Sequence, residues 1–436
     1  MYKYFPHTPE DIASMLEKIG VKSLDDLFLD IDPSLKGKKN FDLASSMSEY
    51  EVRQEIKRLA SKNQTFISFL GAGSYESFTP SVVGALTSRQ EFLTSYTPYQ
   101  PEISQGTLQY IFEFQSMMAE LTGMDVANAS MYEGATATAE AMFMATTQTK
   151  RSTVLLAETL NPRVVNVVKT YAKYRGLHVV MVKHNQYMLD VEDLKTKLNG
   201  DTAALIVSYP NYFGYLEDYT TVEAMIHQNG SLFVFNADPS ALAILKSPKT
   251  WGADIVCGEA QSLGIAPSFG GPYLGYLATT KALMRKLPGR ICGMTRDVDG
   301  KRGFVLTLQA REQHIRREKA NSNICSNQSL MALSTVIYMS IMGKQGMQEV
   351  AQRAYDNAHY LEQELLKTKQ FTMVQQAPHH KEFVLKTKES TSLLQKKWQE
   401  QGFLGGLALD EHTLLLCGHE TRTKQEIDTF VRMVGE

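Results

Sequence analysis

The chain has 436 residues, 43% of them hydrophobic and 21% charged, the make-up of an ordinary globular protein. A formal net charge of −2 offers no basic surface for nucleic acid, and no stretch approaches the ~20 uninterrupted apolar residues of a membrane span. At this length one core is not enough, and one large domain plus a smaller one is expected.

The first residues, MYKYFPHTPEDIASML, lack an apolar core behind a basic start, and they read as a mature cytoplasmic terminus. Thr8-Pro9-Glu10-Asp11 is a helix start, with Pro in the first turn and acids beside it. Ile12, Met15, Leu16 and Ile19 then recur at helical spacing. Such a segment packs on a partner or on a domain surface. From Phe66 to Gln105 the chain is rich in Gly, Ser, Tyr and Pro, which predicts a long structured loop region. A helix follows through Ile111, Phe114, Met117, Met118 and Leu121, ended by Gly123.

An alternation begins after Arg151. Strands are predicted at Thr153–Ala157, His178–Val182, Ala203–Val207, Leu232–Phe235, Ile255–Cys257 and Tyr273–Ala278. Helices are predicted at Asn161–Tyr174, Val191–Leu198 and Thr221–Gln228. Apolar strands separated by helices predict a mostly parallel sheet covered on both faces, with ligands beyond the carboxyl ends of its strands. Leu330–Met342 is an apolar helix, and a second helix runs from Met347 to Lys367. Strand and helix signals then alternate at short spacing, as in a small α+β domain. The expected divisions are 1–65, a helical N-terminal segment; 66–345, a large α/β domain; and 346–436, a small C-terminal domain. The four cysteines are far apart and form no CxxC pair, so neither a disulfide framework nor a metal site is expected.

Four stretches could carry chemistry. In Asn128–Thr136 a loop enters an Ala-rich helix. There Gly134, Ala135 and Thr136 could let backbone N–H groups meet a phosphate, or could simply permit close helix–sheet packing. Asp238 ends a strand, where its carboxylate could pair with a protonated ring nitrogen or cap the next turn. In Gly252–Pro272 a strand runs into a Gly-rich loop. A pyridoxal-phosphate (PLP) enzyme of this kind would carry its Schiff-base lysine there. No lysine lies between Lys249 and Lys281, and neither Gln261 nor Ser262 can form an imine. The fourth stretch gathers Arg311, His314, Arg316, Arg317 and Lys319, with Glu312 and Glu318 among them. It is either an anion receiver or an ion-paired surface.

Together FLGAGSYESFTPSVVGAL, EFLTSYTPYQPEISQGTLQ, NASMYEGATATAEA, GADIVCGEAQSLGIAPSFGGPYLG and GFVLTLQAREQHIRREKANSNICSNQ resemble the alpha-subunit branch of the glycine dehydrogenase (decarboxylating) P-protein family. The match runs in order over essentially the whole chain. The resemblance implies a fold-type I PLP-dependent transferase-like α/β fold, with a mostly parallel central sheet flanked by helices and a smaller α+β C-terminal domain. It implies a glycine cleavage system subunit that acts with a homologous beta subunit in an α2β2 assembly. The family decarboxylates glycine with PLP and passes the aminomethyl group to the lipoyl arm of H-protein. The beta subunit carries the PLP lysine in an Asn-Leu-His-Lys-type segment, and Ser262 falls at or next to that position. This chain is then expected to hold no PLP covalently and to be inactive alone. The candidates for reaching the partner's pocket are Tyr96, Tyr99, Glu102, Arg311 and His314, with Gly134, Ala135, Thr136 and Asp238 as a vestigial pocket. The aromatics either touch the catalytic pocket across the interface or only pack there. Two other readings compete: a non-catalytic scaffold that stabilises the beta subunit and docks H-protein, and an independent PLP enzyme using Lys246 or Lys249.

Overall fold

The computed structural model describes residues 4, 6–37, 42–309, 312–320 and 322–435. The chain forms two compact units, Met1–Gln64 and Thr65–Glu436. In the first, the helices Pro9–Ile19 and Glu49–Ala60 both start on reciprocal caps, Thr8 with Asp11 and Ser48 with Glu51. Neither helix buries a residue.

The second unit is built on a seven-stranded sheet. Its strands are β1 (Val126–Ala127), β2 (Thr153–Ala157), β3 (His178–Val182), β4 (Thr202–Tyr209), β5 (Leu232–Ala237), β6 (Ile255–Glu259) and β7 (Gly275–Thr279). Their spatial order is β1-β7-β6-β5-β4-β2-β3. β3, β2, β4, β5 and β6 run parallel, whereas β7 is antiparallel to both of its neighbours. The parallel strands are mostly apolar because helices cover both faces. One face packs Leu155, Leu205, Val207, Phe233 and Phe235 into one core; Val154, Leu156, Ile206 and Val234 point into another.

Gln105–Thr122 forms the long helix before the sheet, stopped by Gly123 in the left-handed region at φ 73°. The Ala-rich helix is Gly134–Thr149, and small side chains let it approach β6 closely. A Cβ on Gly134 would lie 2.8 Å from the Glu259 nitrogen. A helix from Ser329 to Lys367 is broken at Gly343 (φ 59°, ψ −177°). The break falls between the apolar helix and the charged helix that the composition separates. The rest of the chain adds a four-stranded antiparallel sheet, in the order Phe371–Met373, Glu382–Thr387, Thr413–Cys417, Leu407–Asp410. Among the described residues no helix is long and apolar enough to cross a membrane.

One hairpin is new relative to the sequence reading. Ile291–Arg296 pairs antiparallel with Arg302–Thr307. Gln115 anchors it: its amide donates to the Cys292 carbonyl at 3.0 Å, and its side-chain oxygen accepts from the Cys292 N–H at 2.8 Å.

Candidate functional site

A cavity of about 290 Å³ lies where β4, β5 and β6 end, against the N-terminus of the Ala-rich helix. That is where an open α/β sheet places its ligand. Gly134, Ala135, Asp238 and Ser262 all line it, as do Tyr75, Glu259, Lys381 and Glu382. Thr136 sits one residue deeper in the helix and does not line it.

Glu259, Asp238, Lys381 and Glu382, four of the charged-type side chains of this cavity, are each held by the chain itself. Glu259 accepts from the backbone N–H groups of Gly134 (3.0 Å), Leu274 (2.9 Å) and Gln261 (3.0 Å). Glu133 caps the same helix, accepting from the Thr136 N–H at 2.8 Å. Two carboxylates thus occupy the positive end of the helix, where an anion would otherwise sit. Burial pushes the Glu259 carboxyl above its ordinary range, and the three backbone donors pull it back only in part.

Asp238 is held in the same way. Its Oδ2 lies 2.6 Å from the Lys381 ammonium, and its Oδ1 accepts from the Ser240 N–H at 3.0 Å. Lys381 also donates to Ser240 Oγ at 3.1 Å and lies 3.4 Å from the centroid of the Tyr75 ring. Burial opposes charge on both partners, but their mutual attraction wins. Asp238 is held below its usual carboxylate range, and Lys381 above its usual ammonium range. Lys381 is therefore a charged ammonium rather than a free amine. Neither Lys246 nor Lys249 lines the cavity; Lys246 sits over the Trp251 ring, 4.7 Å from its centroid. Ser262 is buried, and its Oγ has no hydrogen-bond partner among the described residues.

Glu382 completes the cluster. It accepts from the Ala72 N–H (2.6 Å) and from the Tyr75 hydroxyl (2.8 Å), and burial pushes its pKa up to about 7. Its backbone is packed hard against Gly214, where an added Cβ would lie 1.9 Å from the Glu382 carbonyl oxygen. A raised folded-state pKa means the native state keeps its proton while the unfolded chain has lost it. This group's contribution to stability is therefore fully present below about pH 4.5 and falls as pH rises to about 7. Glu382→Gln removes that term. Thermal unfolding of the variant and parent at pH 5 and pH 8 is expected to show a smaller loss of Tm in the variant across that interval.

A second cluster gathers the loop candidates. Arg290, which no sequence motif singles out, is buried at its centre. Its guanidinium lies 5.5 Å from the Tyr99 ring centroid and donates to Thr97 Oγ1 at 3.4 Å; its Nε is 3.9 Å from Glu312. His314 Nδ1 is 3.5 Å from the same carboxylate, and its ring meets Tyr99 edge-on at 5.7 Å. Tyr96 is exposed and shares a 2.8 Å hydroxyl contact with Ser326. Glu102 stands exposed on the one-turn helix Pro101–Ile103 and takes no part in the cluster. Arg317 lines the same pocket, Arg316 and Lys319 are exposed, and Arg311 lies outside the described residues. Arg290 carried no sequence signal beyond a Pro-Gly-Arg turn ahead of an unrecognised strand.

The architecture is that of fold-type I PLP-dependent enzymes, with an internal ion pair, Lys381 with Asp238, in its strand-end cavity. A glutamate decarboxylase from Lactobacillus brevis CGMCC 1306 shares the fold at a TM-score of 0.69 and 10% identity, over 93% of this chain and 95% of that one. Residues 2–434 match the family model for the glycine cleavage system P-protein, and the chain belongs to that family. It is 46% identical to the probable glycine dehydrogenase (decarboxylating) subunit 1 of Anoxybacillus flavithermus (strain DSM 21510 / WK1), over 100% of this chain and 99% of that protein. A crystal structure of glycine decarboxylase (P-protein) of the glycine cleavage system, in inhibitor-bound form, matches with a TM-score of 0.91 at 39% identity. That match covers 100% of this chain and 99% of that one. The name "subunit 1" given to the relatives implies a partner subunit in a complex.

Proposed function

We propose that this chain is the alpha subunit of a glycine-decarboxylating P-protein and works only with a lysine-bearing beta subunit, in an α2β2 assembly in the cytoplasm. The single observation behind this reading is the internal pairing of the cavity's polar groups, with a serine at the expected lysine position. PLP requires an amine for its aldehyde, an anion cradle for its phosphate and a carboxylate for its ring nitrogen. Here Ser262 stands at the expected lysine position, Glu259 and Glu133 take the helix N–H groups of Gly134 and Thr136, and Lys381 takes Asp238. These residues do not fit the cofactor, so PLP belongs to the partner. Glycine is decarboxylated there, and the aminomethyl group passes to the lipoyl arm of H-protein.

This chain's contribution is the loop cluster. Tyr96 and Tyr99 are exposed aromatics on a loop tied down by the buried Arg290, a combination suited to shaping a partner's pocket from outside. The division of labour follows 1–65 as a helical N-terminal segment, 66–345 as the domain presenting this loop, and 346–436 as the domain that supplies Lys381 and Glu382. The test is reconstitution of glycine-dependent CO2 exchange. Beta subunit plus this chain is expected to be active and either one alone inactive. A beta subunit that exchanges CO2 equally well without this chain would reduce the chain to a scaffold.

A further inference from the structure

The segment that delivers Lys381 and Glu382 to the cavity also carries His379, a member of a further side-chain cluster. His359 and Glu362 stand one helical turn apart on the long helix, and His379 approaches them from the loop before Glu382–Thr387. One ligand-type atom from each residue lies within 4.8 Å of the other two. His379 is only 4% exposed. Its Nε2 lies 2.9 Å from Glu362 Oε2, yet both atoms are buried without a properly formed hydrogen bond. Among the described residues no Lys or Arg pairs with Glu362.

His359 is prepared as a ligand. Its Nδ1 is engaged by the Tyr355 carbonyl at 2.9 Å, which fixes that nitrogen as the N–H and leaves Nε2 as a lone-pair donor. A backbone carbonyl orienting an imidazole in this way is the usual support of a metal-ligating histidine. The His379 segment is also fixed. The Leu216 N–H donates to the Pro378 carbonyl at 2.8 Å, and the His380 N–H donates to the Gly214 carbonyl at 3.1 Å. Two imidazole nitrogens and one carboxylate oxygen form a donor set that suits zinc and its first-row neighbours rather than calcium or magnesium.

We propose that His359, Glu362 and His379 bind one divalent cation of the zinc class, clasping the long helix to the segment that carries Lys381 and Glu382. The two imidazole rings are now stacked, with centroids 4.1 Å apart. Coordination requires them to tilt so that both lone pairs meet at one point, with His359, which is half-buried and also stacked on Tyr355, pivoting about its Nδ1 contact. Donor atoms around tetrahedral zinc are about 3.4 Å apart, so His379 Nε2 and Glu362 Oε2, now 2.9 Å apart, open slightly, while no pair in the cluster, all within 4.8 Å, has far to move. The site does not depend on the functional reading above, and its test uses no activity.

The purified full chain, stripped with a chelator, is titrated with Co2+ as a spectroscopic probe. One equivalent is expected to give visible d–d absorption that Zn2+ abolishes by displacement. Zn2+ is also expected to raise Tm. Glu362→Gln and His359→Gln, the latter at a half-buried position that folding tolerates, are each expected to weaken Co2+ affinity by at least about tenfold. His380→Gln, a neighbour outside the donor set, is expected to leave it unchanged. The proposal is overturned if the parent shows no saturable uptake. It is overturned equally if both ligand variants bind as the parent does, since the cluster would then be a histidine–glutamate ion pair.

Discussion

Replacing Lys381 with Met is expected to destabilise the chain by about 3–5 kcal/mol, the cost of leaving a buried charge without its partner. The substitution keeps most of the side-chain volume and removes only the ammonium. Asp238 would then keep Ser240 but lose the contact at 2.6 Å that holds it ionised. It must either stay charged in a buried site or take up a proton. The double variant Lys381→Met, Asp238→Asn is expected to recover most of the loss, because it removes both charges together. The sign with pH follows from the directions of shift. Asp238 is held low, so its share of the stability is present above the unfolded carboxylate value and is lost as pH falls through the folded one. Lys381 is held high, so its share persists until pH rises through its folded value. The deficit of the single variant should therefore be largest between roughly pH 4 and pH 10. Urea unfolding of the parent, single and double variants at pH 7 measures it.

Arg290→Ala is expected to lower kcat/KM for glycine about 10²-fold in the reconstituted complex, with far less effect on the unfolding of the isolated chain. The guanidinium joins the loop carrying Tyr99 to the turn carrying Glu312 and His314. Without it the loop keeps its outer contact, Tyr96 to Ser326, but loses its buried tether. A displacement of about 1 Å at a positioning group is enough for a 10²-fold loss. Tyr99→Phe is the companion variant, since it keeps the ring under the guanidinium and removes only the hydroxyl. If Arg290→Ala leaves kcat/KM unchanged, the loop cluster only packs an interface and takes no part in positioning.

The central strands were legible because burial on both faces leaves uninterrupted apolar runs. Thr153–Ala157 and His178–Val182 agree residue for residue with the expectation. The break at Gly343 was legible as a change from apolar to charged composition. The hairpin Ile291–Arg296 and Arg302–Thr307 was not, because a charged turn divides it and its outer end is polar. The lysine-free interval between Lys249 and Lys281 is visible in the sequence itself, while the surroundings of Gly134 and Asp238 come from the fold. Gly134 permits close packing, and Asp238 holds the turn through Ser240. Lys381 could not be found in the same way. It lies 143 positions from Asp238 in the chain (381 − 238), and only the return of the C-terminal sheet brings the two together. The expectation of no metal rested on cysteine spacing, which says nothing about a site built from histidine and glutamate.

The most direct measurement is borohydride trapping of PLP followed by mass spectrometry, on this chain alone and on its complex with the lysine-bearing subunit. Lys381, the lysine that lines the cavity, is paired with Asp238, so the isolated chain should carry no reduced phosphopyridoxyl adduct, and in the complex the adduct should appear on the partner only. A stoichiometric adduct on Lys381 of the isolated chain would show that the buried ammonium gives up Asp238 and serves as an amine. That result would contradict the account.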